Sequence, residues 1–249
     1  MGEAIVLFGK SAVPGKVKTR FCPPLELAEA ARLYDAFARD VMVTARRYRD
    51  EQNEALGPGE TPVVVWLAWD GEPDDPLARF AQEELHFKWT RQGDGNLGRR
   101  LRRVVAEVRQ GGAKKAIVVG TDSPSLMPEH LRTASLSLQI HDVVFGPSFD
   151  GGYYLVGLDE VGASNPLPEE VIFEGISWSS PQVLAQSWRC AQEGGLLCDL
   201  MGFWYDIDTF EDLKKRHFHL CDYLASQDPL VAQYTRRLLS TEKYISIAP

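Results

Sequence analysis

Short apolar runs alternate with stretches of helical period along most of this chain, and that alternation constrains its fold more than any other feature. Ala4 to Phe8, Val63 to Trp69, Leu85 to Thr90, Ala116 to Gly120, Val143 to Phe145 and Tyr153 to Gly157 each read as a buried strand. Between the first two, Leu27, Ala30, Leu33, Phe37, Val41 and Ala45 recur as one helical stripe, which predicts a helix over 25–49. Its opposite face, Glu29, Arg32, Asp35 and Arg39, reads as solvated. Leu101, Val104, Val105 and Val108 predict a second helix over 98–110. Ser180 as N-cap with Pro181 at the first helical position predicts a third. Thr209 with Asp212 resembles a capping box and predicts a fourth through Leu213 and His217, and a terminal helix is expected over about 229–243. Ahead of the capping box, LLCDLMGFWYDID over 196–208 predicts a late strand. Strands and helices alternating in this way specify an α/β fold with a mostly parallel central sheet flanked by helices. With no repeat, linker or low-complexity tract, residues 1–249 read as a single domain with a core over about 3–222.

The loop after the first strand, VLFGKSAVPGKVKTRF, is rich in cations. It fails the phosphate-loop template of nucleotide hydrolases, because Gly9 and Gly15 enclose five residues rather than four and Lys16 is followed by Val17 instead of a hydroxyl residue. Pro23 and Pro24 then block helix continuation. What remains is a basic loop in which Lys10, Gly15, Lys18 and Arg20 are candidates for holding a nucleotide's phosphates. Lys18 and Arg20, two apart, would point the same way in an extended segment.

In open α/β sheets ligands sit beyond the carboxyl ends of the strands. GTDSP places Asp122 at the tip of the fourth strand, GPSFDGGYY brings Asp150, Gly151, Gly152 and Tyr153 to the same edge, and YDIDT adds Asp206 and Asp208. Magnesium prefers oxygen ligands from one or two carboxylates plus phosphates, so Asp122 and Asp208 are candidate ligands for Mg2+ or Mn2+. Asp122 could instead cap a turn ahead of Pro124, and Asp208 could cap the helix beside Thr209; the matching strand-end positions favour the metal. Asp150 with Gly151 and Gly152 is compatible both with a plain hairpin turn and with an acceptor site in which Asp150 orients or deprotonates a hydroxyl. In RQGDGNLGRRL, a glycine-rich loop feeding a helix, Gln92, Asn96 and Gly98 are candidates for contacts with a base or ribose. Arg99, Arg100, Arg102 and Arg103 sit at that helix's start, against its dipole, an arrangement that fits either a nearby anion or a solvated basic turn.

A net charge of −8 argues against a general nucleic-acid binder. No apolar run approaches the ~20 residues that span a bilayer, and the N-terminus enters a strand directly, which predicts a soluble, cytoplasmic protein. Cys22, Cys190, Cys198 and Cys221 have no metal-ligand spacing and read as reduced thiols.

The segments VPGKVKTR, QGDGNLGRRL, GTDSPSL, GPSFDGGYYLVGL, ISWSS and DIDTFEDL occur here in an order that closely resembles the bacterial glycosyltransferase-A-like transferases often labelled radical-SAM/selenodomain-associated transferases. The match covers Ile5 to Leu213; Phe21 after the arginine and Ser180 in place of a common threonine depart from it without touching an expected ligand. The resemblance implies a Rossmann-like nucleotide-diphospho-sugar transferase fold, shared by sugar transferases and by nucleotidyltransferases. It implies that Lys18 and Arg20 meet a phosphate chain, and that Asp122, joined by Asp208, holds the metal. The partners it implies are a nucleotide or nucleotide sugar and a small-molecule acceptor. Nucleotidyl transfer from a nucleoside triphosphate is favoured by the dense basic loop and by a single Asp122 where sugar transferases usually show an Asp-x-Asp pair. Glycosyl transfer is the alternative, and a non-catalytic nucleotide-binding module the weaker one.

Overall fold

Strand β1 (Gly2–Lys10) sends Ile5 and Leu7 into one helical layer and Ala4 and Val6 into the other. Burial on both faces is why it reads as a continuous apolar run rather than an alternation. The computed structural model describes residues 2–160 and 166–241. Six further strands follow: β2 (Val64–Asp70), β3 (Lys88–Arg91), β4 (Ala113–Gly120), β5 (Val143–Pro147), β6 (Tyr153–Asp159) and β7 (Cys198–Leu200). They order β3-β2-β1-β4-β6-β5-β7, and only β6 runs against the rest. The helices are α1 (Leu27–Glu54), α2 (Pro76–Arg79), α3 (Leu97–Gln110), α4 (Pro128–Ser137), α5 (Pro168–Ile172), α6 (Val183–Glu193), α7 (Phe210–Phe218), α8 (Leu224–Gln227) and α9 (Gln233–Leu239). Val41, Met42, Leu131 and Ala134 of α1 and α4 cover one face of the sheet, while Val104, Val105 and Ala191 of α3 and α6 cover the other. The expected single α/β domain with a mostly parallel sheet is what forms.

The boundaries differ from expectation for local reasons. Helix α1 opens at Leu27 because the Glu26 backbone N–H donates to the Glu29 carboxylate at 2.7 Å, so Glu29 is a buried cap partner and not part of a solvated face. Leu85 and Phe87 are buried from the turn that precedes β3, which mimics a longer strand in sequence. Ser180 does not cap a helix: its hydroxyl donates to the Ser177 carbonyl and accepts from the Gln182 N–H, closing a turn that delays α6 to Val183. The late strand shrinks to three residues. Beyond it, a single bridge joins Ser148 to Trp204, and the chain leaves the sheet as Tyr205 and Ile207 enter a core cluster with Phe21, Leu33 and Phe37 of the N-terminal third. The terminal helix begins at Gln233, after a left-handed Ala232, and the expected end at 243 lies outside the described residues.

All four cysteines are unpaired thiols. Among the described residues no helix is long and apolar enough to cross a membrane.

One buried carboxyl ties the last described helix to the first long one. Asp40 of α1, 2% exposed, accepts the Tyr234 and Thr235 backbone N–H groups at 2.8 and 2.9 Å, capping α9 from outside. Burial pushes its pKa from 3.8 up to about 7, against the pull of those donors. The folded state therefore keeps this proton between those values while the unfolded state releases it, so its stabilising share is full below about 3.8 and is lost as pH rises through about 7. Urea midpoints of the wild type should fall from pH 4.5 to 7.5 relative to those of Asp40→Asn; parallel pH profiles for the two proteins would refute this assignment.

Candidate functional site

Strands β1 and β4 are parallel neighbours, but the chain goes from β1 to β2 on one side of the pair and from β4 to β5 on the other, through helices α1 and α4 that pack on the same face of the sheet. Loops that part in this way open a crevice at the carboxyl ends of the strands. A cleft of about 550 Å³ lies there, lined by Lys10, Tyr34, Asp70, Gln92, Arg100, Asp122, Tyr153 and Asp208 among others. Its volume falls within the range of small-molecule sites, roughly 300–1,000 Å³.

The centre of the charge arrangement is Lys18. Its ammonium lies 2.5 Å from Asp122 Oδ1 and 2.8 Å from Asp208 Oδ1, with its side chain 4% exposed. The Lys18 backbone is left-handed (φ 45°) and leads into a 3₁₀ turn over Thr19–Phe21. Burial alone would lower the lysine pKa, but the two carboxylates outweigh it and the net shift is upward, so the group stays charged. Thr209 caps α7, its hydroxyl accepting the Asp212 N–H at 3.0 Å, which leaves the Asp208 carboxylate for Lys18 and excludes the capping role considered for it. Asp122 is likewise held by its backbone, whose carbonyl accepts the Ile207 N–H at 3.1 Å. A third carboxyl, Asp206, accepts from the Ser123 hydroxyl; burial, and then the neighbouring Asp122 and Asp208, push its pKa up to about 7.

Among the described residues no group of three or more His, Cys, Asp and Glu forms a ready-made metal cage. The residues nonetheless fit a divalent cation. Asp122 and Asp208, each with a side chain 42% exposed, already converge on one positive centre, and the Lys18 ammonium stands where such an ion would sit. Oxygen ligands from one or two carboxylates, completed by phosphate and water, are the magnesium pattern.

Other expected site residues are distributed differently. Arg20 is exposed and does not line the cleft, because the turn at 18–21 replaces the extended segment in which it would parallel Lys18. Lys10 lines the cleft, whereas Gly15, at φ +80°, is an exposed turn residue. Gln92 lines the cleft and is buried, with its amide donating to the Gly9 and Ala68 carbonyls at 2.7 and 3.0 Å. Asn96 caps α3 by accepting the Arg99 N–H at 3.0 Å. Gly98 is a packing glycine: a Cβ there would lie 2.5 Å from the Phe173 carbonyl, leaving no room for a ribose. Asp150 accepts the Gly152 N–H at 2.9 Å and the Ser148 hydroxyl, closing the β5–β6 turn. Gly151 serves that turn (φ +88°), and a Cβ there would meet the Pro181 carbonyl at 2.1 Å, so it is packed by protein and not by a ligand. Tyr153 does line the cleft.

Sequence reasoning missed Tyr34 and Arg100 as individual lining residues. The Tyr34 hydroxyl lies 2.8 Å from the Thr121 hydroxyl and accepts the Lys10 N–H at 3.0 Å, under the β1 and β4 tips. It sits on the same helix as the apolar stripe, so its polar end gave no separate signal. Arg100 donates to Gln92 Oε1 at 2.9 Å and lies 3.4 Å from Asp70; its place in an arginine cluster pointed only to an anion nearby.

A family model described as "uncharacterized protein conserved in bacteria (DUF2064)" matches residues 54–180, just over half of the chain. The chain belongs to this family. It is also similar, with a TM-score of 0.73 and 26% identity, to a protein of Desulfovibrio desulfuricans G20 ascribed to the nucleotide-diphospho-sugar transferases, over 94% of this chain and 99% of that one. A cytidylyltransferase from Leptospira borgpetersenii matches over 99% and 97% of the two chains at 12% identity and TM-score 0.51. A 4-diphosphocytidyl-2C-methyl-D-erythritol synthase from Anaerococcus prevotii matches over 88% and 98% at 9% identity and TM-score 0.51. These two share the fold. No curated protein matches the chain. The nucleotide-diphospho-sugar transferase architecture that the family resemblance implies is therefore the one observed.

If Gly151 is a packing and turn residue, Gly151→Ala should cost about 1–3 kcal/mol in urea unfolding from backbone strain alone. A variant as stable as the wild type would return this position to the list of ligand contacts.

Proposed function

We propose that this transferase moves a nucleotidyl group from a magnesium-bound nucleoside triphosphate to a small acceptor, with release of pyrophosphate. The observation that carries the reading is the Lys18 ammonium held between Asp122 and Asp208, two carboxylates that line a cleft of about 550 Å³. A buried cation paired with two half-exposed carboxylates suits a ligand that brings both phosphate negative charge and a divalent ion. In this reaction an acceptor oxygen attacks the α-phosphorus, the bond from that phosphorus to the bridging oxygen breaks, and its electron pair leaves with pyrophosphate. The acceptor proton passes to solvent or to a carboxylate at the site.

Asp122 and Asp208 would hold the metal, which supplies charge neutralisation at the phosphates. Lys18, no longer needed as their counter-charge, would then be free to meet the phosphate chain, where an ammonium would stabilise charge that grows on the leaving group. Lys10 and Arg100 face the same cleft and add positive potential, Arg100 with its orientation set by Gln92. Arg20, exposed and outside the cleft lining, contributes positive charge only to the approach. Glycosyl transfer from a nucleotide-diphosphate sugar is the second reading, and the likeness to the D. desulfuricans protein over nearly the whole chain favours it. The absence of an Asp-x-Asp pair at GTDSP favours the first.

Thermal-shift measurements with nucleoside triphosphates and nucleotide-diphosphate sugars, each with magnesium or chelator, decide between them by mass action. A larger magnesium-dependent shift with a triphosphate is expected. A preference for a diphosphate sugar selects glycosyl transfer, and no shift with any nucleotide sinks both readings.

The lysine stand-in has its own test. In chelator, Lys18→Met should be less stable than the wild type by roughly 1–2 kcal/mol, because the half-exposed carboxylates lose their cation but keep water. Millimolar Mg2+ should restore more stability to Lys18→Met than it adds to the wild type, since no ammonium has to be displaced. Equal responses of the two proteins to Mg2+ would show that the ion binds elsewhere. Asp122→Asn and Asp208→Asn should each lower turnover roughly a hundredfold or more.

A further inference from the structure

The loop expected to seat an acceptor through Asp150 presents a different group to solvent. Phe149, 68% exposed, stacks on Phe203, 60% exposed, with ring centroids 5.4 Å apart and planes 26° from parallel. The Arg216 guanidinium of α7 lies 4.3 Å from the Tyr205 ring centre and 5.8 Å from that of Phe149. Among the described residues no carboxylate pairs with Arg216. Single exposed apolar side chains are ordinary, but two phenylalanines stacked face to face beside an uncompensated cation form a patch of defined chemistry.

Its position is set by the sheet. Phe149 follows the end of β5 and Phe203 the end of β7, strands parallel to β4, so both emerge at the edge that carries Asp122. The single bridge from Ser148 to Trp204 holds the two loops together. From Phe203 the chain runs directly to Asp208 in the cleft, five residues on, a span of at most about 17 Å.

We propose that Phe149, Phe203 and Arg216 form the seat of the acceptor, which is a ring-bearing anion. A sugar or aromatic face lies on the phenylalanines, and a carboxylate or phosphate on the ring meets Arg216. Aromatic faces bind other rings and cations through dispersion and the ring quadrupole, and a guanidinium held over the Tyr205 ring beside Phe149 keeps its N–H edges for an anion. The placement rests on the reading of the cleft as the nucleotide's seat, because an acceptor must meet the phosphate chain there. It reassigns acceptor recognition from Asp150, whose Oδ1 closes the turn, to the residue before it.

Saturation-transfer NMR with phenyl phosphate and with benzoate tests the seat, with inorganic phosphate and phenol as controls. Phenyl phosphate or benzoate should bind the wild type roughly tenfold more tightly than either control, and the one that gains more identifies the anion preferred. The double variant Phe149→Ala/Phe203→Ala should lose roughly tenfold for both ring anions. Arg216→Gln should lose roughly fivefold for the ring anions and nothing for phenol. Because both phenylalanines are exposed, the double variant should keep the wild-type melting temperature and the magnesium-triphosphate thermal shift. Equal binding of the ring anions by wild type and double variant overturns the proposal. So does a wild-type dimer that becomes monomeric on Phe149→Ala/Phe203→Ala in sedimentation velocity, since the patch would then join two copies of the chain. If the triphosphate shift is missing from the wild type while the variants still lose the ring probes, the platform stands and the nucleotide reading falls.

Discussion

One ammonium group joins the two ends of this fold. Lys18 reaches Asp208 across 190 positions of sequence and Asp122 from the central strand, so three separate loops are fixed around a single buried charge. Removing that charge from water is costly, and two carboxylates in contact with it are what offset the cost. The arrangement exists only because β1 and β4 are neighbours whose connections diverge, which brings the loop after each to the same crevice. It also needs a left-handed Lys18, which turns the chain so that this side chain points inward while Arg20 stays outside.

The cleft wall is held just as firmly by groups that do not carry its charge. Gln92 bonds to two strand carbonyls and to Arg100, and Tyr34 links helix α1 to Thr121 at the tip of β4. Such contacts fix side-chain positions before any ligand arrives, which is the condition for electrostatic stabilisation without reorganisation. A fold does not fix a reaction, so what the cleft does belongs to these residues and not to the sheet.

Much of this was legible in the chain. Two-sided burial makes apolar runs of β1, β4 and β5, and the register of helix α3 follows from Leu101, Val104, Val105 and Val108. Asp122 could be singled out because residues just past strand ends face the crevice in this class of fold, whereas Asp208 lies eight residues past the end of β7 and reaches the cleft only through the folding of the segment between. What the sequence leaves open or misplaces has one cause. Gly98 is a candidate for contact with a base or ribose, and Gly151 stands open between a hairpin turn and an acceptor site; what occupies the space beside each is the Phe173 or Pro181 carbonyl from a distant segment. Ser180 had the composition of a cap and was captured by Ser177 three residues earlier. Phe149 and Phe203 lie 54 positions apart, and nothing in their separate neighbourhoods announces that their rings stack.

The sequence by itself determined the α/β class and the strand tip at which Asp122 stands, because periodicity and strand-end position are local properties of the chain. Tertiary structure alone decided that Asp208 meets Asp122 at Lys18, that Lys18 and not Arg20 is buried against them, that Asp206 is buried beside them on the Ser123 hydroxyl, and that Gly151 packs against the Pro181 carbonyl. Each of those outcomes depends on what a distant segment places within a few ångströms, and a linear pattern carries no distance between segments that only folding brings together.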